Sequence, residues 1–452
     1  MSDMTKEAPV VLWFRRDLRL RDHAALLAAA QHSKHVLALY VLDDRLLKPA
    51  GSPRVAFLLN SLRELDMALS GRLLVRSGDP VREVVAAARS IGAAAVHVSA
   101  DTGPYGRKRD AAVAEELAEH GIQWVPTGSP YAITPGRVTK PDDTPYRVFT
   151  PFFRAWNRHG WRRPADTDAS LVDWVKPKDS LPLPDSPPVD FALPPAGEEA
   201  ALAVWRSYLA NGLEDYAAER DRPDHDGTTR LSPYLRWGAI HPRTILADLD
   251  DSEGATTLRS ELCWREFHAD VLWHRPETAR QNYDRRFDGM RYDTGAAARS
   301  LFDRWCEGRT GYPVVDAGMR QLLAEGWMHN RVRMIVASFL VKDLHLPWQW
   351  GARHFMRHLV DGDLASNQLN WQWVAGCGTD AAPYFRIFNP TTQGQKFDPA
   401  GDYVRRYVPE LRAVAGKAVH VLKERPAEYP EPLVDHAEER QVALQRYGTI
   451  TG

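Results

Sequence analysis

The first 130 residues alternate short apolar runs with helical patterns, and no other feature restricts the fold as strongly. The runs are apolar over nearly their whole length, at 10–14, 36–42, 73–75, 94–98 and 122–125. Such runs are typical of strands that are buried on both faces of a parallel sheet. Helical patterns occupy 54–69 and 107–120. Strands that alternate with helices predict a doubly wound parallel α/β domain over residues 1–130.

The first turn after a predicted strand contains no glycine. It reads FRRDLRLRDH, from Phe14 to His23. The G-x-G-x-x-G fingerprint and the P-loop both need glycine at this turn, because the backbone must approach phosphate closely there. The turn therefore argues against a nicotinamide dehydrogenase and against a P-loop NTPase.

The pattern changes in the middle of the chain. Residues 164–198 are rich in proline and poor in periodic apolar positions, which is typical of a linker. From about residue 199 onward the spacing is helical, at 205–209, 258–273, 314–323, 330–341 and 353–359. We therefore predict an inter-domain linker over 131–198 and an all-helical domain over 199–452, so that the fold class is α/β plus all-α.

Charge and cysteine content exclude several classes of protein. The 58 Lys and Arg balance 59 Asp and Glu, which excludes a polybasic binder but is compatible with a local basic groove for nucleic acid. The three cysteines are too few and too scattered for a disulfide framework or a four-thiolate iron–sulfur cluster. The chain shows neither a secretory signal nor an apolar run of membrane-spanning length. We expect a cytoplasmic protein that does not contact a membrane.

Two segments of the helical half combine polar groups that could hold a ligand. In GTTRLSPYLRWG, Thr228, Thr229 and Ser232 follow a glycine and precede a helical pattern. Such hydroxyls suit a phosphate at a helix start, and they suit an ordinary helix cap equally well. In ELCWREFH, Glu261 and Trp264 share one helical face. That face suits a flat polar ligand, or a core tryptophan beside a satisfied ion pair.

Two later segments place amides and charges beside aromatic residues. The first contains Asn330 and Arg331, and the second contains Asp361 and Asp363 followed by the triplet WQW. The two carboxylates could ligate a metal, or could pair with arginine or a ligand hydroxyl. The chain has no H-E-x-x-H, G-x-S-x-G or C-x-x-C motif, so metalloprotease, serine hydrolase and thioredoxin activities lose support.

Several long motifs together resemble the photolyase/cryptochrome flavoproteins. They are DGDLASNQLNWQWVAGCGTDAAPYFRIFNPTTQGQKFD, TGYPVVDAGMRQLLAEGWMHNRVRM, ELCWREF and the first turn FRRDLRLRDH. They occur in the family's order and span nearly the whole chain. Within the family, the chain most resembles the bacterial class I cyclobutane pyrimidine dimer (CPD) DNA photolyases. The resemblance implies an N-terminal antenna domain, a connector and a C-terminal helical domain that binds FAD.

The resemblance also implies which residues bind FAD. Hydroxyls and amides at a helix start would hold the diphosphate, Arg333 and Asp361 would pair beside the isoalloxazine ring, and Asn367 would face flavin N5. The acidic pair is then not a metal site, and no metal is expected. The implied FAD contacts are Tyr216, Thr228, Thr229, Arg230, Leu231, Ser232, Arg265, Trp327, Arg333, Asp361, Asp363 and Asn367.

The implied substrate is UV-damaged DNA that contains a pyrimidine dimer. The dimer would flip out of the duplex, stack between two indoles and accept an electron from excited reduced FAD (FADH−), which would split it into monomers. Glu261 would hydrogen-bond the pyrimidine edge, and Arg331 would contact a flanking phosphate. The implied DNA contacts are Glu261, Trp264, Asn330, Arg331, Met334 and Trp373.

A relay of three indoles is the implied route by which light reduces oxidised FAD. It maps onto Trp371, Trp348 and Trp305, from the flavin outwards. With Glu261 and Asn367, these residues form the implied catalytic set. The chain is expected to act as a monomer without an obligate protein partner.

The antenna site departs from one of two family patterns. Folate-binding relatives have an acidic residue where this chain has Gly103, which disfavours the folate MTHF. The segments ALYVLDDRLLKPAGSPRVAFL and DTGPYGRKRD look more like deazaflavin-binding members. The resemblance therefore favours the deazaflavin 8-HDF and leaves MTHF as the alternative. The implied contacts are Arg16, Tyr40, Asp43, Arg54 and Asp101.

Three other activities fit part of the pattern. A cryptochrome-type blue-light receptor would lack repair activity, but plant-type members tend to have aspartate where this chain has Asn367. A (6-4) photolyase needs a histidine pair at the lesion, whereas this chain has Asn330 there. A flavin oxidoreductase that acts on small molecules would leave Arg331, Trp264 and Trp373 unexplained. Light-driven repair of CPDs is therefore the predicted activity.

Overall fold

A parallel sheet forms the centre of the N-terminal region. The computed structural model describes residues 7–380 and 385–451. Its strands are β1 (Val10–Phe14), β2 (His35–Leu42), β3 (Leu73–Ser77), β4 (Ala95–Val98), β5 (Gln123–Pro126) and β6 (Asp173–Trp174). The strand order is β3-β2-β1-β4-β5, with β6 beside β2, and every pair is parallel. The predicted α/β class is confirmed, and each predicted strand is present to within two residues at either end.

Strand β1 is apolar throughout because both faces of the sheet are covered there. Along β1, Val10, Leu12 and Phe14 enter one core cluster, whereas Val11 and Trp13 enter another. A strand buried on both faces has no solvent-facing positions, which explains the uninterrupted apolar runs. The helices of this region are α1 (Ala24–His32), α2 (Asp44–Leu47), α3 (Ser52–Ala68), α4 (Pro80–Ser90) and α5 (Pro104–Glu119).

The segment predicted as a linker contains regular structure that its composition conceals. It forms helix α6 (Phe149–His159), a 3-10 turn (Ala169–Leu171) and strand β6. Trp156 anchors α6 and is fully buried, and Trp174 in β6 is nearly so. Proline dominates only the part between β6 and the next helix, where residues 176–196 form no helix or strand. The connector therefore packs on both halves rather than merely crossing the surface.

The described chain is helical from residue 198 onward. The predicted helix at 330–341 is shorter than expected, because it passes into a π-helical turn (Phe339–Asp343). None of the described helices is both long and apolar enough to span a membrane. Residues 381–384, part of the motif that begins at Asp361, lie outside the described residues. The helices are α7 (Glu198–Asn211), α8 (Tyr216–Glu219), α9 (Ser232–Trp237), α10 (Pro242–Asp248), α11 (Glu253–His274), α12 (Gly295–Cys306), α13 (Pro313–Glu325), α14 (Asn330–Ser338), α15 (Trp348–His358), α16 (Leu364–Ala375), α17 (Pro390–Phe397), α18 (Asp402–Tyr407) and α19 (His436–Thr451).

The turn after β1 packs directly against the end of α9. The amide of Leu18 donates to Trp237 O at 3.0 Å. Gly238 has φ +67°, and a Cβ there would lie 2.0 Å from Arg16 O, so only glycine fits. This close approach brings the carboxyl edge of the sheet, and Arg16 with it, against the helical half.

A buried carboxylate fastens the connector to α11. Glu266 accepts hydrogen bonds from the amides of Ala132 at 2.5 Å and Ile133 at 3.1 Å, and from the indole Nε1 of Trp156 at 2.7 Å. Burial raises the pKa of Glu266 to about 7, although these three donors oppose the shift. The carboxyl group thus stays protonated in the folded protein over a pH range where it ionises in the unfolded chain.

We expect this titration to lower the free energy of unfolding as the pH rises from about 4.5 to about 7. In that range the folded state holds a proton that the unfolded chain has released, so raising the pH favours unfolding, by at most about 3 kcal/mol. The variant Glu266→Gln has no carboxyl group to titrate at this position. Its free energy of unfolding should therefore depend less steeply on pH than that of the parent protein. Denaturant unfolding of both proteins across this range measures the two slopes, and equal slopes would contradict the assignment.

Candidate active site

One cavity lies between α9, α11, α14, α15 and α16, with about 890 Å³ free of protein atoms, part of it open to solvent. Its wall combines three guanidinium groups and two carboxylates with amides, and it also has aromatic rings. This mixture suits a large ligand that is partly charged and partly flat. The lining residues include Ser232, Arg236, Arg265, Asn330, Arg333, Met334, Asp361, Asp363, Asn367 and Trp371.

Arg333 and Asp361 form an ion pair in the cavity wall. Arg333 Nη2 lies 2.9 Å from Asp361 Oδ2, and Arg333 Nε donates to Met328 O at 2.8 Å. The other oxygen, Asp361 Oδ1, is buried and accepts no hydrogen bond from the described residues. An unsatisfied buried acceptor is costly, so this atom fits a ligand that brings an N–H or O–H group.

Asp363 carries one negative charge among several guanidinium groups. Its Oδ2 lies 2.6 Å from Arg16 Nη2, and its Oδ1 accepts from the Ser366 amide at 3.0 Å at the start of α16. Burial alone would raise the pKa of Asp363, but the charges of Arg16, Arg236 and Arg265 hold it well below its usual range. The positive charges outnumber the carboxylate, which suits an anionic ligand.

Arg236 is a cavity residue that the sequence analysis missed. Burial and the neighbouring charge of Arg16 lower its pKa to about 9. Its Nε donates to Gly362 O at 2.9 Å, whereas Nη1 is buried without an acceptor among the described residues. Arg236 lies in the segment RLSPYLRWG, one helical turn after Ser232. This spacing is the sequence feature that could have placed Arg236 on the same face as Ser232.

Asn367 is held rigidly at the wall. Its Nδ2 donates to Ala352 O at 3.1 Å and to Gln368 Oε1 at 2.8 Å, and Gln368 in turn donates to Ala279 O at 2.7 Å. The side chain therefore presents a neutral amide, in a fixed orientation, to whatever occupies the cavity.

The other predicted FAD contacts are not among the described residues that line this cavity. Arg230 lies over the Trp327 ring at 3.6 Å and reaches Glu325 at 3.5 Å. Thr229 Oγ1 accepts from the Leu231 amide at 3.3 Å, just before α9. The structure thus brings Ser232, Arg265, Arg333, Asp361, Asp363 and Asn367 together at the cavity, but not Tyr216, Thr228, Thr229, Arg230, Leu231 and Trp327.

The three indoles predicted for the relay all lie in the helical half, and two of them are in ring contact. Trp371 lines the cavity, and its ring centroid is 6.2 Å from that of Trp305, edge to face. Trp305 is fully buried. The reason is that α12 packs this side chain into the core beside Phe355. Trp348 is also fully buried and donates from Nε1 to Asn282 Oδ1 at 2.8 Å.

Two further rings, those of Phe302 and Trp350, lead from Trp305 towards solvent. Phe302 stacks on Trp305 with centroids 5.8 Å apart, and it meets Trp350 edge to face at 5.3 Å. Trp350 is only partly buried, and the Arg299 guanidinium lies 4.3 Å from its ring. Sequence reasoning missed Trp350, although the triplet WQW at 348–350 repeats the one at 371–373.

Two of the predicted DNA contacts are paired within the protein. Glu261 accepts from Arg220 at 2.6 Å, and burial raises its pKa although Arg220 opposes the shift. Arg331 Nη2 lies 2.8 and 2.7 Å from the two carboxylate oxygens of Asp221, and Arg331 Nε lies 3.3 Å from Oδ1. Because Arg220 and Asp221 are consecutive, the two pairs form one cluster of four charges. Asn330 and Met334 line the cavity itself.

The two predicted wedge indoles lie on neighbouring elements. Trp264 in α11 stacks flat on Phe149, with centroids 3.7 Å apart and an interplanar angle of 7°. Trp373 in α16 donates from Nε1 to Asp380 O at 3.0 Å. Both indoles are therefore fixed by residues that sequence reasoning did not single out.

The predicted antenna contacts lie at the carboxyl edge of the sheet, but two of them serve the domain contact. Arg16 pairs with Asp363, and Arg54 Nη1 donates to Met356 O at 2.7 Å. These partners are distant in sequence, whereas the antenna assignment of both residues came from the resemblance to family members. Asp43 accepts from the Tyr105 hydroxyl, and Asp101 pairs with Arg109 at 3.1 Å. Tyr40, in β2, is buried.

Exposed arginines on and beside α6 form a basic strip that sequence reasoning missed. None of them has a carboxylate within 4.0 Å in the part of the chain that the structure describes. Arginine recurs in the segment FFRAWNRHGWRRP, and this repetition is the sequence feature that could have predicted the strip. The strip consists of Arg147, Arg154, Arg158, Arg162 and Arg163.

A parallel sheet that packs against a helical half, whose cavity combines charged, amide and aromatic side chains, is the architecture of a two-domain protein that binds a large ligand. Comparison with known proteins identifies its kind. The family described as DNA photolyase matches residues 10–170, and the FAD binding domain of DNA photolyase matches residues 257–449. The chain belongs to the photolyase/cryptochrome family, and its helical half binds FAD.

Relatives match over almost the full chain. The deoxyribodipyrimidine photo-lyase of Streptomyces griseus is 41% identical over 451 residues, which are 95% of this chain and 97% of the relative. A class III photolyase from Agrobacterium tumefaciens superposes with a TM-score of 0.90 at 38% identity, covering 99% of both chains. An archaeal photolyase from Sulfolobus tokodaii, solved with two FAD molecules, has a TM-score of 0.85 at 31% identity, covering 98% of this chain and 100% of the other.

Proposed function

We propose that the chain is a light-driven DNA-repair enzyme that splits cyclobutane pyrimidine dimers, with FAD in the cavity described above. One observation carries this assignment: a single cavity joins the residues expected at FAD (Asp361, Asn367) with residues expected at the lesion (Asn330, Met334). Relatives of nearly the same length that are named deoxyribodipyrimidine photo-lyase support it. The test is whether the protein with reduced FAD restores thymines from a defined thymine dimer under blue light but not in the dark.

The cavity residues fit FAD and divide its binding between them. Reduced FAD supplies a light-driven one-electron donor when it is bound. Arg16, Arg236 and Arg265 supply positive charge for an anionic cofactor, since Asp363 offsets only part of their charge. Asp361 offers the unsatisfied Oδ1 as an acceptor. Asn367 offers a neutral amide, which orients the cofactor without adding a charge beside it.

The lesion enters from the side of Trp264 and Trp373. A dimer that has flipped out of the duplex stacks on indoles, a contact worth about 1–3 kcal/mol per base. Glu261 can hydrogen-bond a pyrimidine edge when Arg220, which binds it at 2.6 Å, moves aside. Arg331 can exchange Asp221 for a DNA phosphate, because a guanidinium binds either anion with two hydrogen bonds.

The basic strip on α6 extends the DNA surface away from the lesion. Phe149, at the start of α6, touches Trp264, and Arg158 follows nine residues later, about 13 Å along the helix axis. Unpaired guanidiniums at this distance suit the phosphates that flank a flipped nucleotide.

We expect the double variant Arg154→Gln/Arg158→Gln to bind damaged and undamaged DNA more weakly by the same factor. Losing two phosphate contacts should reduce the slope of log affinity against log salt concentration by about 2. Arg89→Gln on α4, which alters an exposed arginine outside the strip, is the matched control and should leave the slope unchanged. An unaltered slope in the double variant would exclude the strip from the interface.

For photoreduction, we assign Trp371 as the indole that donates an electron to the oxidised cofactor. Trp305, in ring contact with Trp371, refills it, and Trp350 refills Trp305 across Phe302, which packs between the two indoles and is not itself oxidised. Trp348, which the family pattern places second, remains in the proposal as the alternative second member. The two routes are separated by the variants described in the Discussion.

For the antenna, we propose 8-HDF at the carboxyl edge of the sheet, with MTHF as the alternative. In the order β3-β2-β1-β4-β5 the connections change direction between β1 and β4, and ligands of such sheets bind at this switch point. Asp43, Tyr40 and Asp101 remain the candidate contacts there. Extraction of the chromophore from protein made in a deazaflavin-producing host tests the proposal, and recovery of only folate or a second FAD would overturn it.

The partner of the enzyme is DNA that contains pyrimidine dimers. Because DNA is the substrate, we propose the cytoplasm as its compartment. We also propose that it acts as a monomer, since every predicted lesion contact comes from one chain. Sedimentation of the DNA complex tests this stoichiometry.

A further inference from the structure

An indole at the surface forms the outer end of the ring path that begins in the cavity wall. The rings of Trp371 and Trp305 are 6.2 Å apart, and Phe302 packs between Trp305 and Trp350, with centroids 5.8 and 5.3 Å away. Trp305 is fully buried, whereas Trp350 is only partly buried. Trp350 is therefore the indole of this path at which a molecule in solution can exchange an electron.

Arginines surround this indole. The Arg299 guanidinium lies 4.3 Å from the centroid of the Trp350 ring. Arg353 and Arg357 follow Trp350 on the same face of α15, about 4.5 and 10.5 Å along the helix axis. All three arginines are exposed, and none has a carboxylate within 4.0 Å among the residues that the structure describes. Asp303 follows Arg299 by one turn of α12 but forms no ion pair with it, so the surface around Trp350 is positively charged.

Two imidazoles on the same helix show that this positive charge is not offset. The rings of His354 and His358 have centroids 4.5 Å apart, and His354 meets Phe302 edge to face at 6.2 Å. Burial, His358 and Arg357 together lower the pKa of His354 to about 3. Burial and Arg357 also lower the pKa of His358. No carboxylate of the described residues opposes either shift, so both imidazoles stay neutral beside the arginines.

We propose that Trp350, Arg299, Arg353 and Arg357 form a donor patch, a binding site for a small anionic reductant that gives one electron to oxidised Trp350. The inference rests on the proposed function, because it names the class of molecule that refills the photoreduction path. Three unpaired guanidiniums around a single indole match the charge and the size of a small anion such as an enediolate. Each guanidinium can bind such an anion through two parallel hydrogen bonds.

The electron and proton count of the step balances at the patch. Oxidised Trp350 is a radical cation, which takes one electron and returns to the neutral indole with its N–H proton in place. The donor loses that electron, and an enediolate also releases one proton to water. Arg299 disfavours positive charge on the indole by Coulomb repulsion, and a bound anion offsets this repulsion. Binding of the donor therefore favours both the oxidation of Trp350 and its return to the neutral state.

Two donors of different charge test the patch. Ascorbate is an anion near neutral pH, whereas dithiothreitol is uncharged. We expect Arg353→Gln/Arg357→Gln to slow photoreduction of oxidised FAD about tenfold with limiting ascorbate at low salt, and by less than about twofold with dithiothreitol. At about 1 M salt the Debye length is about 3 Å, and the difference between the donors should vanish. Arg82→Gln/Arg89→Gln, which alters two exposed arginines of α4, is the matched control and should behave as the parent.

Quenching of indole fluorescence measures binding of an anion to the patch without photoreduction. The part of the quenching that Trp350→Phe removes belongs to Trp350. Iodide, an anion, should quench this part about threefold more strongly in the parent than in Arg353→Gln/Arg357→Gln. Acrylamide, which is neutral, should quench it equally in both proteins, because the exposure of the indole is unchanged.

The outcomes separate this inference from the function on which it rests. Failure of chemically reduced parent protein to split dimers would refute the proposed function, and the donor experiment would still decide the patch. Normal photoreduction by ascorbate in Trp350→Phe, or equal slowing with both donors in the double variant, would overturn the patch. Protection of Trp350 from iodide by saturating undamaged duplex DNA would assign these arginines to DNA and would likewise overturn it.

Discussion

The variant Trp371→Phe should lose photoreduction of oxidised FAD, yet it should repair dimers at the normal rate once its FAD has been reduced chemically. Trp371 is the indole in the cavity wall, and phenylalanine is far harder to oxidise. Phenylalanine fills much of the same space beside Phe355, which lies 5.0 Å away edge to face. The measurement is the absorbance of oxidised FAD under blue light with an external reductant present.

Matched variants of the other two indoles decide the order of the relay. The contact between Trp305 and Trp371 predicts that Trp305→Phe slows photoreduction strongly and Trp348→Phe only weakly. The reverse result would restore the order taken from the family pattern. Normal photoreduction in Trp371→Phe would contradict any relay that begins at this residue.

The second large effect concerns the charge of Asp363. We expect Asp363→Asn to lose FAD during purification and to lower the free energy of unfolding by about 3–5 kcal/mol, the usual cost of breaking one side of a buried ion pair. Asparagine can still accept from the Ser366 amide, so the cap of α16 is kept. The loss of FAD would therefore report that the ion pair with Asp363 holds Arg16 in place at the cavity. FAD content and denaturant unfolding measure the two effects.

An ion pair outside the cavity provides the control. Asp110 pairs with Arg15 at 2.7 Å, and both side chains are largely buried. Asp110→Asn should lower stability but retain FAD. In the double variant Arg16→Met/Asp363→Asn, stability should recover in part, because the guanidinium that paired directly with Asp363 is removed as well. Full FAD content in Asp363→Asn would show that this carboxylate does not organise the cofactor site.

The sheet was predictable because its strands are buried on both faces, so the apolar runs carry the signal without tertiary information. The helices of the site were predictable from spacing for a similar reason. Helix α6 was not, because the burial of Trp156 depends on Glu266, 110 residues away. Proline and charge dominate the composition around it and conceal the helix.

The site residues also fall into two groups: those that the sequence predicts and those whose place depends on distant contacts. Arg333 and Asp361 were expected to pair, and the structure places them 2.9 Å apart. Arg16 was assigned to the antenna, yet it pairs with Asp363, which is 347 residues away, and no local pattern carries that information. The burial of Trp305 is likewise set by its contacts with Phe355 and Trp371, which no local sequence pattern shows.

The most direct test of the account uses an oligonucleotide with one defined cyclobutane thymine dimer. Purified protein with reduced FAD is mixed with it under blue light, a dark sample serves as the control, and restored thymines are quantified. Light-dependent restoration is the result that the account predicts. No restoration by protein that holds reduced FAD would contradict it and would favour a cryptochrome-type receptor, or a (6-4) photolyase if a (6-4) substrate were repaired instead.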